Sequence, residues 1–265
     1  MQIRNHFFKK EFGQNFLRNK KVASKLVSIL DITPSDLVVE IGPGDGFITQ
    51  EIELITTNYI GVEVDSELIP SLENNFKNLK FLNSDFLKIN FETFLEDNGY
   101  EKDTKVKFIG NLPFNVSKDI ISGIFHSTTN LAADSASFII QEEVSQSFVS
   151  KPPQMSPIAA VANIYAEVKK YETIAKKYFD PSPKVAGGMI LFTIKDDIPT
   201  SAMNIEKLIK IGFSSPRKTL LNNIKNSNKY INVEDAFDKT GLGLNARAAE
   251  LNTAQWIKLE KSLVS

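Results

Sequence analysis

Apolar runs and amphipathic stretches alternate along the first two thirds of the chain. Runs of apolar residues bounded by polar ones predict strands at Leu37–Ile41, Tyr59–Val64, Leu79–Leu82, Lys105–Ile109 and Ser137–Gln141. Apolar residues spaced three or four positions apart predict helices at Val22–Leu30, Phe47–Ile55, Ser66–Phe76 and Ser117–Phe125. Two later runs, Val161–Tyr171 and Gly188–Lys195, are predicted as further strands. This alternation predicts an α/β domain with a mostly parallel sheet and helices on both faces.

The pattern changes after a linker-like segment at Asp197–Ala202. From there to Ser265 the periodicity is helical, and Ser215-Pro216 is typical of a helix start, with Ser as the N-cap and Pro in the first turn. We therefore predict an α/β domain over residues 1–198, including a basic N-terminal arm, and a small helical domain over residues 199–265.

Composition excludes several classes of protein. The 265 residues contain no cysteine, and the two histidines, His6 and His126, lie far apart, so neither disulfides nor a metal centre are expected. No apolar run approaches the roughly 20 residues that span a bilayer, and no apolar signal core is present at the N-terminus. We expect a soluble cytoplasmic protein with no membrane contact.

The formal net charge of −1 conceals two basic regions. Residues 1–25 carry seven Lys or Arg against one acid, Glu11, and residues 205–229 carry six against one acid, Glu206. Two basic patches on an acidic body suit contact with phosphates. The alternative is that these lysines only form solvated helix faces.

The segment Asn111-Leu112-Pro113-Phe114 directly follows a predicted buried strand. The Asn side-chain oxygen can accept a hydrogen bond from an exocyclic amine, and proline fixes the turn without contributing an N–H. The aromatic ring can stack on a flat heterocycle. Together these residues predict a pocket for the amino group of a nucleobase.

Further polar residues follow the other predicted strands. Gly42-Pro43-Gly44-Asp45-Gly46 follows the first strand and lets the backbone approach a ligand closely. Glu63 ends the second strand, where a doubly wound fold places a carboxylate for a ribose diol. Asp85 follows the third strand and is suited to an adenine amine; the alternative is a helix N-cap. An NAD dehydrogenase is a rival, but the third glycine of its fingerprint is missing near Phe47.

These motifs together resemble the KsgA-type ribosomal RNA adenine N6,N6-dimethyltransferases, relatives of the Erm macrolide-resistance methyltransferases. The resemblance covers nearly the whole chain. In order along the sequence, the segments that carry it are Phe12-Gly13-Gln14-Asn15-Phe16-Leu17, Glu40-Ile41-Gly42-Pro43-Gly44, Asn111-Leu112-Pro113-Phe114, Phe179-Asp180-Pro181-Ser182-Pro183-Lys184-Val185, Arg217-Lys218-Thr219-Leu220 and Ala246-Arg247-Ala248-Ala249-Glu250-Leu251.

The resemblance implies a Rossmann-like class I methyltransferase fold, S-adenosylmethionine as cofactor, and catalysis by Asn111, Leu112, Pro113 and Phe114. It implies cofactor contacts at Asn15, Leu17, Gly42, Glu63, Asp85 and Asn111. The implied RNA contacts are Phe114, Phe179, Lys184, Arg217, Lys218 and Arg247. Phe179 would stack on the second face of the target adenine; the alternative is ordinary loop packing. The implied partner is small-subunit (16S) rRNA in the immature 30S subunit, modified at two adjacent adenines by a monomer.

Two departures from the family pattern stand out. Phe114 occupies the place of the usual Tyr, which keeps the stacking surface and removes the hydroxyl. Ala186-Gly187-Gly188 follows the Pro-Lys-Val segment where the family tends to have Ser or Thr. Two alternatives remain open at this point: an Erm-like enzyme acting on large-subunit rRNA, and a non-catalytic ribosome-assembly factor.

Overall fold

The computed structural model describes residues 14–91, 93–101, 103–128 and 131–264. Phe12 and Gly13 of the N-terminal signature, and most of the predicted basic arm, lie outside these residues. Contacts divide the chain into two compact units. One comprises the chain up to Ser145 together with Lys169–Ile194, and the other comprises Gln146–Val168 together with Lys195–Ser265.

The first unit is built on a sheet. Its strands are β2 (Leu37–Ile41), β3 (Tyr59–Glu63), β4 (Lys80–Asn83), β5 (Lys105–Asn111), β6 (Ala132–Gln141), β9 (Gly187–Ile194) and, from Lys169 onward, β7 (Ala166–Ile174). Among the described residues these form seven strands in the order β4-β3-β2-β5-β6-β9-β7. The strands from β4 to β6 are parallel, and β9 runs antiparallel to β6. The chain order reverses between β2 and β5, where a doubly wound sheet opens a ligand crevice.

The mostly apolar sequences of β2 and β3 explain why these strands lie inside the sheet and not at its edges. Every residue of β2 and β3 is buried, as expected for parallel strands covered on both faces. The helices of this unit are α1 (Lys20–Ile29), α2 (Thr49–Ile52), α3 (Ile69–Asn75), α4 (Phe94–Asp97) and α5 (Ser117–Ser127), and α6 (Glu142–Phe148) leads out of it. The predicted strands and helices of this region are confirmed, although α2 is much shorter than predicted.

A separate two-stranded sheet holds the start of the described chain. Its strands are β1 (Phe16–Leu17) and β8 (Phe179–Asp180), which pair antiparallel with Leu17 opposite Phe179. Arg18 N–H donates to the Tyr178 carbonyl at 2.7 Å and extends the pairing. The motif segment Phe179-Asp180-Pro181-Ser182-Pro183-Lys184-Val185 therefore begins as a strand.

The second unit is helical. It contains α7 (Pro157–Tyr165), α8 (Ala202–Gly212), α9 (Leu220–Asn226), α10 (Val233–Thr240) and α11 (Thr253–Val264). Trp256 is fully buried at its centre and stacks on Phe213 with 6.1 Å between ring centroids. Gly212 allows this contact, because a Cβ built there would lie 2.6 Å from the Trp256 ring. Asn223 Nδ2 donates to the Gly212 carbonyl at 2.6 Å and satisfies the end of α8.

Two local predictions are wrong. The strand predicted at Val161–Tyr171 is a helix up to Tyr165 and a strand only from Ala166, because Ser156 accepts a hydrogen bond from Ala159 N–H and caps α7. The helix predicted to start at Ser215-Pro216 starts instead at Leu220 with Thr219 as its N-cap. The domain boundary at residue 198 stays a prediction; by contacts, Gln146–Val168 also belongs with the helical unit.

Candidate active site

A crevice lies at the strand ends where the chain order reverses. It is lined by residues from the ends of β2, β3 and β5 and from the segment around β1: Gln14, Asn15, Phe16, Gly42, Gly44, Glu63, Val64, Asn111, Leu112, Pro113 and Phe114. The structure therefore brings together Asn15, Gly42, Glu63 and the Asn111–Phe114 segment. Because the resemblance implies that the methyl donor binds here, we call this space the donor compartment.

Glu63 is oriented by two backbone N–H groups. Its Oε2 accepts from Gly44 N–H at 3.0 Å and its Oε1 from Asp65 N–H at 2.9 Å. The residue is only 4% exposed, and burial raises the pKa of its carboxyl, while these two hydrogen bonds oppose that rise. Gly44 has a φ of +62°, which favours glycine and turns its N–H toward the carboxylate.

Asn111 ends β5 and is held by its own amide. Its Nδ2 donates to the Asn15 carbonyl at 2.7 Å. Because a carbonyl oxygen can only accept, this contact fixes which end of the amide is nitrogen. The side-chain oxygen is therefore the atom that remains to accept a hydrogen bond from a ligand in the compartment.

The three residues after Asn111 form one wall of the donor compartment. Leu112 is 1% exposed, and its N–H donates to the Ile139 carbonyl at 3.0 Å, which continues the pairing of β5 with β6. Pro113 and Phe114 are half-buried. The Pro113 carbonyl accepts from Val116 N–H at 3.2 Å, which ties the turn to the start of α5. The wall therefore carries a partly accessible aromatic ring beside the Asn111 amide.

Asp85 lines an adjoining space that shares Gly42, Val64 and Pro113 with the donor compartment. Its Oδ1 accepts from Leu87 N–H at 3.0 Å and caps the 3₁₀ turn Phe86–Lys88. The predicted alternative, a helix cap, is therefore present. A carboxylate has more than one acceptor site, so capping leaves Asp85 able to bind an amine as well.

Two side-chain pairs that line or support the crevice were not predicted from the sequence. Gln14 Nε2 donates to Asp65 Oδ2 at 2.9 Å, and Arg18 pairs with Asp45 at 2.5 Å. These partners are 51 and 27 positions apart, so no local pattern could have connected them. The resemblance to a known family was the only signal, because it marked Gln14 as part of a motif.

Leu17 and Phe179 lie outside the crevice lining. Both side chains are nearly buried, at 2% and 4% exposure, and both belong to the apolar core beneath β1 and β8. A Cβ built on Gly187 would lie 3.2 Å from the Phe179 ring, which shows where that ring packs. The structure does not bring Phe179 to Phe114, and its packing matches the alternative. Its stacking role stays a prediction that requires the ring to move. Lys184 is exposed on the same loop.

Two of the predicted RNA contacts meet in the helical unit. Lys218 and Arg247 both line a groove, together with Phe213, Pro216 and Glu250. Arg247 N–H donates to Glu250 Oε2 at 3.0 Å, which orders the turn that carries it. Arg217 is exposed, and it is not one of the residues that line this groove.

Two features were looked for in the described part of the chain: a group of metal-binding side chains and a membrane-spanning helix. Within the described ranges, no group of three or more His, Cys, Asp or Glu residues has the arrangement of a metal site. No helix among these residues is both long enough and apolar enough to cross a membrane.

Comparison with known proteins identifies the family. Residues 5–265 match the ribosomal RNA adenine dimethylase family. A protein of Malacoplasma penetrans named ribosomal RNA small subunit methyltransferase A is 31% identical over 97% of this chain and 92% of its own length. The protein of the same name from Mycoplasmopsis synoviae is 33% identical over 95% of each chain.

Solved structures with the same fold include a dimethyladenosine transferase from Plasmodium falciparum and the 23S rRNA methyltransferase ErmE. The first has a TM-score of 0.76 at 21% identity and covers 92% of this chain and 95% of its own. The second has a TM-score of 0.73 at 21% identity and covers 95% of this chain and 100% of its own. The prediction of a Rossmann-like class I methyltransferase fold is confirmed. The chain belongs to the ribosomal RNA adenine dimethylase family.

Proposed function

We propose that this chain transfers methyl groups from S-adenosylmethionine to the N6 amines of two adjacent adenines near the 3′ end of small-subunit rRNA. Family membership supports the reaction type, and the names of the relatives support the small subunit as target. One observation carries the site assignment: the Asn111 amide is fixed by the Asn15 carbonyl at 2.7 Å, with its oxygen left for an amine.

The donor compartment fits the proposed cofactor. Glu63, held by Gly44 and Asp65, presents a fixed carboxylate that suits a ribose diol, and the glycine loop admits a ligand close to its backbone. Asp85, in the adjoining space, suits an adenine amine. Bound there, S-adenosylmethionine would supply an electrophilic methyl group on a sulfonium centre. Asn15, which lines the crevice, and Leu17, whose side chain lies in the adjoining apolar core, complete the proposed set.

The residues around Asn111 account for activation of the acceptor. The N6 nitrogen of adenine is a poor nucleophile, because its lone pair is delocalised into the ring. Hydrogen bonds from its two N–H groups to Asn111 Oδ1 and the Leu112 carbonyl favour a pyramidal nitrogen and stabilise developing positive charge. Phe114 stacks on the base, which is worth about 1–3 kcal/mol. Fixed orientation lowers the barrier further.

The RNA contacts form a separate part of the proposal. Lys218 and Arg247, which share one groove, bind phosphates of the rRNA, and Arg217 and Lys184 add exposed positive charge. The target adenine leaves its stack to reach the crevice. We propose that the enzyme acts as a monomer on the immature 30S subunit in the cytoplasm.

The test compares Asn111→Ala with Asn74→Ala, an exposed Asn of α3 that serves as a matched control. Methyl incorporation into unmethylated small-subunit rRNA is measured at saturating donor. Loss of one preorganised hydrogen-bonding group predicts a fall of about 10²-fold for Asn111→Ala. Rates within threefold of wild type would contradict the assignment of Asn111.

The alternatives separate in the same assay. Family membership excludes the NAD dehydrogenase, and the small-subunit names of the relatives favour the proposed target over large-subunit rRNA. Assaying both purified subunits distinguishes the two targets directly. A pure assembly factor would show no methyl incorporation in wild type.

A further inference from the structure

The segment Gln14–Arg18 is attached to the ends of three strands. Gln14 Nε2 donates to Asp65, two residues after β3, at 2.9 Å. The Asn15 carbonyl accepts from Asn111 at the end of β5 at 2.7 Å. These contacts make the segment a wall of the donor compartment, of which Gln14, Asn15 and Phe16 are lining residues.

The third attachment is an ion pair in the loop after β2. Arg18 Nη1 lies 2.5 Å from Asp45 Oδ2, and the Asp45 side chain is 4% exposed while that of Arg18 is 23% exposed. The same guanidinium lies 4.0 Å from the carboxylate of Asp180 in β8. A charge-assisted hydrogen bond with so little exposure is stronger than a surface pair.

The Phe16 ring lies between these attachments. The Arg18 guanidinium carbon is 5.3 Å from the Phe16 ring centroid, within the range of a cation–π contact. A Cβ built on Gly44 would lie 2.6 Å from Phe16 Cε1, so the ring occupies the space that only a glycine leaves open. The ring therefore packs on the same glycine whose N–H orients Glu63.

We infer that the Arg18–Asp45 ion pair is a positioning device: it holds the Phe16 ring against Gly44 and thereby sets the affinity for the methyl donor. The inference rests on the proposed function, since it takes the crevice as the donor site. A ring fixed before the donor arrives costs no ordering entropy on binding. Without the ion pair, the Phe16 ring leaves Gly44 more readily. Binding of the methyl donor must then include the entropy cost of ordering the ring.

The test measures the dissociation constant of S-adenosylmethionine by calorimetry, well below the melting temperature of each variant. Arg18→Met and Asp45→Asn each remove the pair, and Lys25→Met is the control, because it removes the exposed pair of Lys25 with Glu172 (3.2 Å) in the same unit. We expect the dissociation constant to rise about tenfold in the first two variants and less than twofold in the control. The kcat at saturating donor stays within twofold of wild type.

A double-mutant cycle separates positioning from simple stabilisation. Phe16→Ala should itself weaken donor binding, and adding Arg18→Met to it should then change the dissociation constant less than twofold. Unchanged donor affinity in Arg18→Met and Asp45→Asn, with or without a lower melting temperature, would refute the inference. A full tenfold effect of Arg18→Met in the Phe16→Ala background would also refute it. Absence of donor binding in both wild type and Lys25→Met would refute the proposed function instead.

Discussion

Glu40 carries a buried carboxyl beneath the glycine loop. Its Oε2 accepts hydrogen bonds from the hydroxyls of Tyr59 at 2.6 Å and Thr49 at 2.7 Å, while Oε1 has no partner among the described residues. Burial raises its pKa from the ordinary 4.5 to about 7, the two hydroxyls oppose this, and nearby carboxylates add to it. Glu40→Gln removes the titration and keeps the shape.

The sign and size of the pH dependence of stability follow from the difference between the pKa of Glu40 in the folded and unfolded states. The native state keeps the proton up to about pH 7, whereas the unfolded chain loses it near 4.5. The stability this group contributes is therefore complete below pH 4.5 and is lost as the pH rises to 7. At about 1.4 kcal/mol per pH unit, the full loss is about 3 kcal/mol. Glu40→Gln should thus gain about 2–3 kcal/mol relative to wild type between pH 5 and pH 8.

Urea denaturation at both pH values measures the free energy of unfolding of wild type, Glu40→Gln and the control Glu73→Gln, an exposed residue of α3. The control should track wild type within 0.5 kcal/mol at each pH, as surface substitutions usually do. A constant difference between Glu40→Gln and wild type at both pH values would refute the reasoning, because the carboxyl would then titrate equally in the folded and unfolded states.

Three further substitutions test other parts of the structure. Gly44→Ala forces a Cβ against Phe16, so it should weaken donor binding at least tenfold in calorimetry, whereas Gly99→Ala (φ +84°, open space) should lose only stability. Lys107→Met breaks a nearly buried ion pair and should cost about 3 kcal/mol in urea denaturation, whereas Lys105→Met, which is largely exposed, should cost under 0.5 kcal/mol. Phe114→Ala should lower kcat about tenfold or more in the rRNA methylation assay with donor affinity nearly kept; loss of donor binding would contradict stacking on the base.

The sheet and half of the site could be predicted from local patterns. Strands β2, β3 and β5 are mostly apolar, and a polar residue at the carboxyl end of a parallel strand points to a crevice, which was enough to find Glu63 and Asn111. Helix α7 was missed because its apolar residues lack a polar face, so the periodicity resembles a buried strand. Its Ser156-Pro157 start was the signal that identifies it.

The closing of the crevice by Gln14–Arg18 could not be predicted in the same way. Its contacts join residues 27 to 96 positions apart, and each depends on the packed strands already being in place. For Phe179, the local sequence and the folded structure indicate different surroundings. Pro181 and Pro183 directly after it are typical of a loop, yet pairing with Leu17 places the Phe179 ring in the core.

The fixed Asn111 amide has a consequence for how a twofold methylation ends. Under the proposed chemistry, adenine offers two N–H groups to acceptors held in place by the protein, the monomethylated base offers one, and the dimethylated base offers none. The acceptors, which include the Asn111 oxygen oriented by the Asn15 contact, therefore lose one N–H partner with each methyl group added. An acceptor left without a donor in a partly buried site is unfavourable. The dimethylated adenine would thus be released, because it has no N–H group left to donate to the acceptors of the site.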